Sequence, residues 1–124
     1  MTAYLLVFIG GGLGASLRYI MSVIFTNYLK INYPYGTFII NVLGSFLLGL
    51  LLMSSLLKNG TNTHLSIFLT IGFTGGFTTF STFTYEIINL INQKLIMQSI
   101  SYVSLSLIFS IVGMYAGIMT GKSI

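Results

Sequence analysis

Four long apolar runs separated by short polar stretches account for nearly the whole chain. A membrane-spanning helix needs about 20 largely apolar residues. The runs near Ala3–Phe25, Thr37–Leu57, Ser66–Ile91 and Ser99–Met119 all reach that length. Between them lie Thr26–Gly36, which holds the only proline (Pro34), then Lys58–Leu65 and Asn92–Gln98, each polar and each with one lysine. This pattern predicts an all-α integral membrane protein, a single four-helix transmembrane domain over residues 1–124 with nothing left for an extramembrane domain. Any function is then expected inside the bilayer or at its two faces.

Composition narrows the class. The 124 residues are 55% hydrophobic and only 5% charged, with mean hydropathy +0.97, whereas soluble domains carry about 25% charged residues. Five Lys/Arg and one Glu cannot furnish a water-facing surface, so lipid is expected to cover most of the protein. The net charge of +4 comes from Arg18, Lys30, Lys58, Lys94 and Lys122, scattered singly; without a basic patch, nucleic-acid binding is rejected. There are no cysteines, hence no disulfides and no thiolate metal sites. The start lacks the charged n-region and small-residue cleavage site of a signal peptide, so the first apolar run is expected to remain as an anchor.

Orientation is evenly balanced. Lysines in short loops normally select the cytoplasmic side, yet Lys58 and Lys122 fall on one side and Lys30 and Lys94 on the other, 2 against 2. Arg18, inside the first run, changes this only to 2 against 3. Two readings follow: a weak bias that still yields one orientation, or a dual topology in which an up copy pairs with a down copy. A chain this small can hardly enclose a pore alone, which favours pairing.

Small residues recur at four-residue spacing. Gly10/Gly14, Gly72/Gly76 and Gly113/Gly117 are pairs that let helix backbones approach closely, and plain packing suffices to explain them. The third run is different. It reads GFTGGFTTFSTFTYE from Gly72 to Glu86, and Gly75–Gly76 followed by the β-branched Thr78–Thr79 is a poor site for a continuous helix. A break near Gly75–Thr79 would free carbonyls in mid-membrane, which suit a monovalent cation. A mere glycine kink held by threonine hydroxyls is the alternative.

Several side chains form candidate constellations. Phe80 and Phe83 share a helical face; they either pack or present their positive ring edges to an anion. Ring edges would hold an anion without the fixed charge that prevents release. Asn41 lies one turn after Thr37 and one before Ser45 and offers two donors, as interhelical glue or to an ion. Tyr102, Ser106 and Ser110, at i, i+4 and i+8, make a polar stripe that Gly113 and Gly117 continue. Such hydroxyls either bond back to their own helix or line a water or ion track. Arg18 and Glu86 are the formal charges inside predicted spans and thus functional candidates, while His64 reads as a solvated loop residue. Carboxylate pairs, a Ser–His–Asp set, metal-ligand clusters and a phosphate loop are all missing, so the chain is not expected to be an enzyme.

These motifs together resemble the CrcB/Fluc family of bacterial fluoride channels. The resemblance rests on GGGLGASLRY (Gly10–Tyr19), GTFIINVLGSFLLG (Gly36–Gly49), GFTGGFTTFSTFTYE and the polar fourth run, in the right order across all four helices. It implies an antiparallel, dual-topology homodimer in the bacterial inner membrane with two fluoride pathways. Phe80 and Phe83 would offer ring edges and Asn41 a hydrogen bond. Tyr102, Ser106 and Ser110 would form a track, with Ser81 and Thr82 as further donors. A central sodium ion would be held by the Gly75 and Thr78 carbonyls of both copies, and Arg18 would be a vestibule or structural residue. The implied role is passive export of toxic fluoride. The competing class, a small-multidrug-resistance-like exporter, shares size and topology but depends on an acidic residue in the first helix, which here has Arg18 and no Asp or Glu. A non-transporting anchor protein would leave the hydroxyl stripe and the central break unexplained.

Overall fold

The computed structural model describes residues 1–29, 33–58 and 62–124, so the expected loop lysine Lys30 lies outside the described residues. Every regular element among them is helical. Helix α1 spans Thr2–Leu29 and α2 Tyr35–Met53. After a bend at Ser54 come the short helices α3 (Ser55–Lys58) and α4 (Thr63–Ser66). A π-helical segment, Ile67–Thr74, leads into the single turn α5 (Gly75–Phe77), followed by α6 (Phe80–Asn92) and α7 (Ile96–Ser123).

Three of these helices, over Thr2–Tyr28, Tyr35–Met53 and Ile96–Ser123, are long and apolar enough to cross a membrane. The third apolar run of the sequence is instead an interrupted stretch over 63–92. Its break falls at Thr78 and Thr79, whose backbones are extended (ψ 158° and 124°), whereas Gly75 stays right-handed helical. Gly76 therefore lets a neighbour approach, and the threonines after it end the helix.

Close approach explains the glycine pairs. A Cβ on Gly14 would run into the Phe73 carbonyl and one on Gly76 into that of Gly11, so α1 and the 63–77 stretch touch backbone to backbone. Gly49 and Gly117 serve the α2–α7 contact in the same way, against Met114 and Phe46. Hydrocarbon tails supply no hydrophobic drive between helices, so such van der Waals packing carries the association.

The distribution of polarity is inverted relative to a soluble domain. The buried apolar residues are few: Ile40, Phe77, Phe83, Leu90 and Tyr102. Buried beside them are the hydroxyls of Thr37, Thr70, Thr74, Thr79, Ser99 and Ser106, while long rows of Leu, Ile, Phe and Tyr face outward. Apolar outside and hydroxylated inside is the arrangement that lipid as solvent demands. The α6–α7 turn closes with a helix-ending motif in which Lys94, at φ 62°, adopts the left-handed conformation and Leu95 N–H donates to the Leu90 carbonyl (2.9 Å).

Candidate functional site

The site is built around the break. Two extended residues leave backbone groups that lipid cannot satisfy, and Asn41 of α2 meets that need. Its Oδ1 accepts from Thr79 N–H (2.9 Å) and its Nδ2 donates to the Thr79 carbonyl (3.0 Å). The Thr79 side chain then starts α6: its Oγ1 accepts from Thr82 N–H (3.2 Å), an N-cap. The same oxygen lies 3.3 Å from Ser81 Oγ and donates to Thr82 Oγ1 (3.2 Å).

These bonds have a consequence for two carbonyls. In an unbroken helix Gly75 C=O would receive Thr79 N–H, and Thr78 C=O would receive Thr82 N–H. Both N–H groups are committed elsewhere, to Asn41 and to the Thr79 side chain. The Gly75 and Thr78 oxygens are thereby released from their usual helical partners. A Cβ on Gly75 would meet nothing within 4 Å, so one side of this position is open. Two oxygens without a carboxylate suit a singly charged hard cation and would be only part of its coordination.

A cavity of about 340 Å³ adjoins the break. It gathers Asn41, Phe80, Phe83, Ser106 and Ser110, all expected pathway residues, together with Gly75 and Thr78. The Phe80 and Phe83 ring centroids are 5.7 Å apart and tilted by 43°. Phe83 is buried and Phe80 exposed on the subunit's surface. Ser106 Oγ, in the wall, is buried without a hydrogen-bond partner among the described residues, so its proton is available. Three threonines face this cavity from the π-helical side with protons already donated: Thr70 to Ser66 (2.7 Å), Thr74 to Leu69 (2.8 Å) and Thr78 to Thr74 (3.1 Å).

The hydroxyl stripe of α7 is divided. Tyr102 does not line this cavity; it is fully buried and its hydroxyl donates to Glu86 Oε2 (2.6 Å). Thr37 donates to the other oxygen, Oε1 (2.8 Å). Glu86 and Thr37 line a second cavity of about 490 Å³, with Ser22, Thr26, Tyr33, Thr82, Asn89 and Gln93. Phe83 packs on Tyr102 (centroids 5.1 Å apart), so this aromatic pair stands as the partition between the two spaces.

Glu86 is thus bonded to Thr37 and Tyr102 rather than paired with Arg18. Arg18 is half-buried and lines neither cavity, and Ser81 lies at the exposed start of α6, bonded to Thr79. Among the described residues, neither lining contains Lys, Arg or His. Thr37 was not singled out from the sequence except as a neighbour of Asn41; a hydroxyl one helical turn from a candidate donor was the available signal.

Comparison with known proteins gives a consistent result. Residues 5–118 match the family described as CrcB-like protein, Camphor Resistance (CrcB). The chain is similar to a protein of Clostridium acetobutylicum named "Fluoride-specific ion channel FluC 2", 42% identical over 92% of this chain and 93% of the relative. It is likewise similar to a "Fluoride-specific ion channel FluC" of Caulobacter sp., 38% identical over 100% and 98% of the two chains. A protein of the same name from Phocaeicola vulgatus is 38% identical over 95% and 97%.

Proposed function

The chain belongs to the CrcB family, and from that premise we propose that it is a fluoride-selective channel that lets the anion leave the bacterial cytoplasm passively. It is a multi-pass membrane protein and a channel rather than an enzyme. The observation that carries the proposal is the gathering of Asn41, Phe80, Phe83, Ser106 and Ser110 around one cavity at a broken helix.

The chemistry suits a small, strongly hydrated anion. Phe80 and Phe83 offer positive ring edges, while Ser106 Oγ and the second Asn41 amide proton offer donors. No cationic side chain lies in the wall to trap the ion, and conduction requires sites weak enough to leave. The second cavity is the aqueous approach, and the Phe83–Tyr102 pair is where the anion passes between the two. Neutral hydrofluoric acid enters acid-exposed cells and dissociates inside. An inside-negative membrane potential of 100 mV then supplies about 2.3 kcal/mol per charge, enough to hold cytoplasmic fluoride roughly fiftyfold below the outside level.

The working unit in this reading is an antiparallel homodimer in the inner membrane, each subunit crossing the bilayer four times with the 63–92 stretch as its third span. Its exposed area, 7840 Å², exceeds the roughly 6,600 Å² expected for a compact monomer of this mass. Thr82 and Asn89 of α6 face the larger cavity, but the exposed Ser81 at the start of that helix does not and is ill suited to lipid; a second copy would cover it. Two copies would bring two pathways. The Gly75 and Thr78 carbonyls of both would hold a sodium ion, which supplies charge balance for oxygens the break has released. Drug–proton exchange, by contrast, would require an acidic residue in α1, which has none.

Fluoride efflux from liposomes containing the purified protein tests the proposal, with chloride-loaded liposomes beside it. Rapid potential-driven fluoride loss with chloride retained is the expected result. Fluoride that stays trapped behind correctly inserted protein would overturn it.

A further inference from the structure

Tyr33, just before Pro34 at the start of α2, has no role in the pathway described so far. Its ring is packed on two sides, tilted against Tyr35 (centroids 4.7 Å apart) and edge-on to Tyr102 (5.7 Å, 81°). It also packs against the cluster of Phe83, Leu90 and Tyr102. Its hydroxyl is buried yet has no hydrogen-bond partner among the described residues, although the residue lines the cavity that contains Thr37 and Glu86. Buried tyrosine hydroxyls nearly always find a partner. Packing alone would be served as well by phenylalanine.

The neighbouring hydroxyls make this one distinctive. Tyr102 and Thr37 also lie buried here, and both have already given their protons to the two oxygens of Glu86. They cannot donate to a passing anion without abandoning that carboxylate. Tyr33 is the buried hydroxyl at this end of the pathway whose proton is uncommitted among the described residues. An anion leaving the larger cavity for the Phe83–Tyr102 partition would face a carboxylate unless some donor offset it.

We propose that the Tyr33 hydroxyl is a hydrogen-bond donor to fluoride at the step between the Glu86 cavity and the Phe83–Tyr102 partition. This rests on the fluoride-channel reading above. Because the ring is fixed by Tyr35 and Tyr102, the donor is held in place in advance, which lowers the cost of using it. Fluoride, small and a strong acceptor, gains more from such a donor than a larger halide does.

The test is fluoride efflux at several fluoride concentrations from liposomes holding wild-type protein, Tyr33→Phe or Tyr33→Trp. Two quantities are read separately: the fraction of vesicles that empty, which counts folded channels, and the rate per active vesicle. Tyr33→Phe should empty the same fraction at a rate roughly fivefold lower, most markedly at low fluoride, and should melt no lower than wild type. Tyr33→Trp, which restores a ring-borne N–H donor, should recover part of the rate. A Tyr33→Phe channel as fast as wild type at every concentration would overturn the proposal, as would a loss confined to the fraction of active vesicles. If wild-type protein itself fails to release fluoride, the channel reading falls instead.

Discussion

Asn41 and Thr79 are joined by two reciprocal hydrogen bonds, side-chain amide to backbone, one of which gives the Thr79 N–H a partner in place of the Gly75 carbonyl. The amide is the side-chain group that can both donate to the Thr79 carbonyl and accept from its N–H in one plane. Through this clamp α2 holds the break open and leaves the Gly75 carbonyl free, while the Thr79 side chain, by taking Thr82 N–H, frees that of Thr78. Asn41 is therefore a positioning residue for the site as well as one of its walls.

Asn41→Ala leaves the Thr79 N–H unpaired in a part-buried place, at a cost of about 1–3 kcal/mol, while the Thr79 carbonyl, at the N-cap of α6, keeps the first bond of that helix. A melting temperature several degrees lower in detergent is expected. Asn41→Asp keeps the acceptor but loses the donor and sets a carboxylate against the Thr79 carbonyl. Its fluoride efflux should fall at least as far as that of the alanine variant. Wild-type melting in Asn41→Ala would mean that the clamp does not hold the break.

Phe80 and Phe83 should separate into different phenotypes. Phe83 is buried against Tyr102, while Phe80 is 73% exposed on the isolated subunit. Replacing either ring with isoleucine removes a positive edge while keeping an apolar side chain, so fluoride flux should fall tenfold or more in both. Both changes remove the Phe80–Phe83 ring contact, but Phe83→Ile also breaks the pair with Tyr102 and should be about 1 kcal/mol less stable than Phe80→Ile. Unchanged flux in both variants would remove the pathway assignment.

What the sequence reveals follows the range of its signals. Hydropathy marks the apolar runs because it is local and long. The helices extend beyond them, α1 to Leu29 rather than Phe25 and α7 from Ile96 rather than Ser99, since Thr26 and Asn27 satisfy their backbone within the helix regardless of polarity. The break is legible in Gly75–Thr79, but the sequence does not say that the threonines rather than the glycines leave the helix. That is decided by Asn41, 38 residues away from Thr79. Glu86 carried no role in the sequence because its partners, Thr37 and Tyr102, lie 49 and 16 residues distant. The stripe Tyr102–Ser106–Ser110 is visible as a helical repeat, yet only its two serines line a cavity, because Tyr102 is buried against Phe83 and bonded to Glu86.

Tyr102→Phe removes the donor to Glu86 Oε2 and leaves that oxygen unpaired. Bonds to charged groups contribute about 1.5–3 kcal/mol, and Glu86 is only half-buried, so a loss of about 1–2 kcal/mol is expected. Glu86→Gln should be milder for folding, because its amide oxygen still accepts one of the two hydroxyl protons and frees the other. Differential scanning fluorimetry on the two variants checks the order; a Glu86→Gln protein less stable than Tyr102→Phe would contradict it.

Lys94 offers a stabilising substitution. Its φ of 62° places a side chain in the left-handed region, which is favourable for glycine and costs other residues about 1 kcal/mol. Lys94→Gly should therefore raise the melting temperature by a few degrees. A lower melting temperature would show that the lysine contributes more through its charge than its backbone costs.

That charge bears on how the protein inserts. With four spans, as proposed, Lys58 and Lys122 would balance Lys30 and Lys94 across the membrane, and the loop lysines would favour neither orientation. Replacing Lys58 and Lys122 by glutamine leaves lysines on one side only, and replacing Lys30 and Lys94 leaves them on the other. If the working channel is an antiparallel pair, each double variant alone should insert in one orientation and release little fluoride. Expressed together, the two should restore efflux, because each supplies the orientation the other lacks. Full activity from either variant alone, with its single orientation verified by labelling an introduced cysteine from one side, would rule out the antiparallel pair. The exposed Ser81 would then be covered by a parallel partner instead.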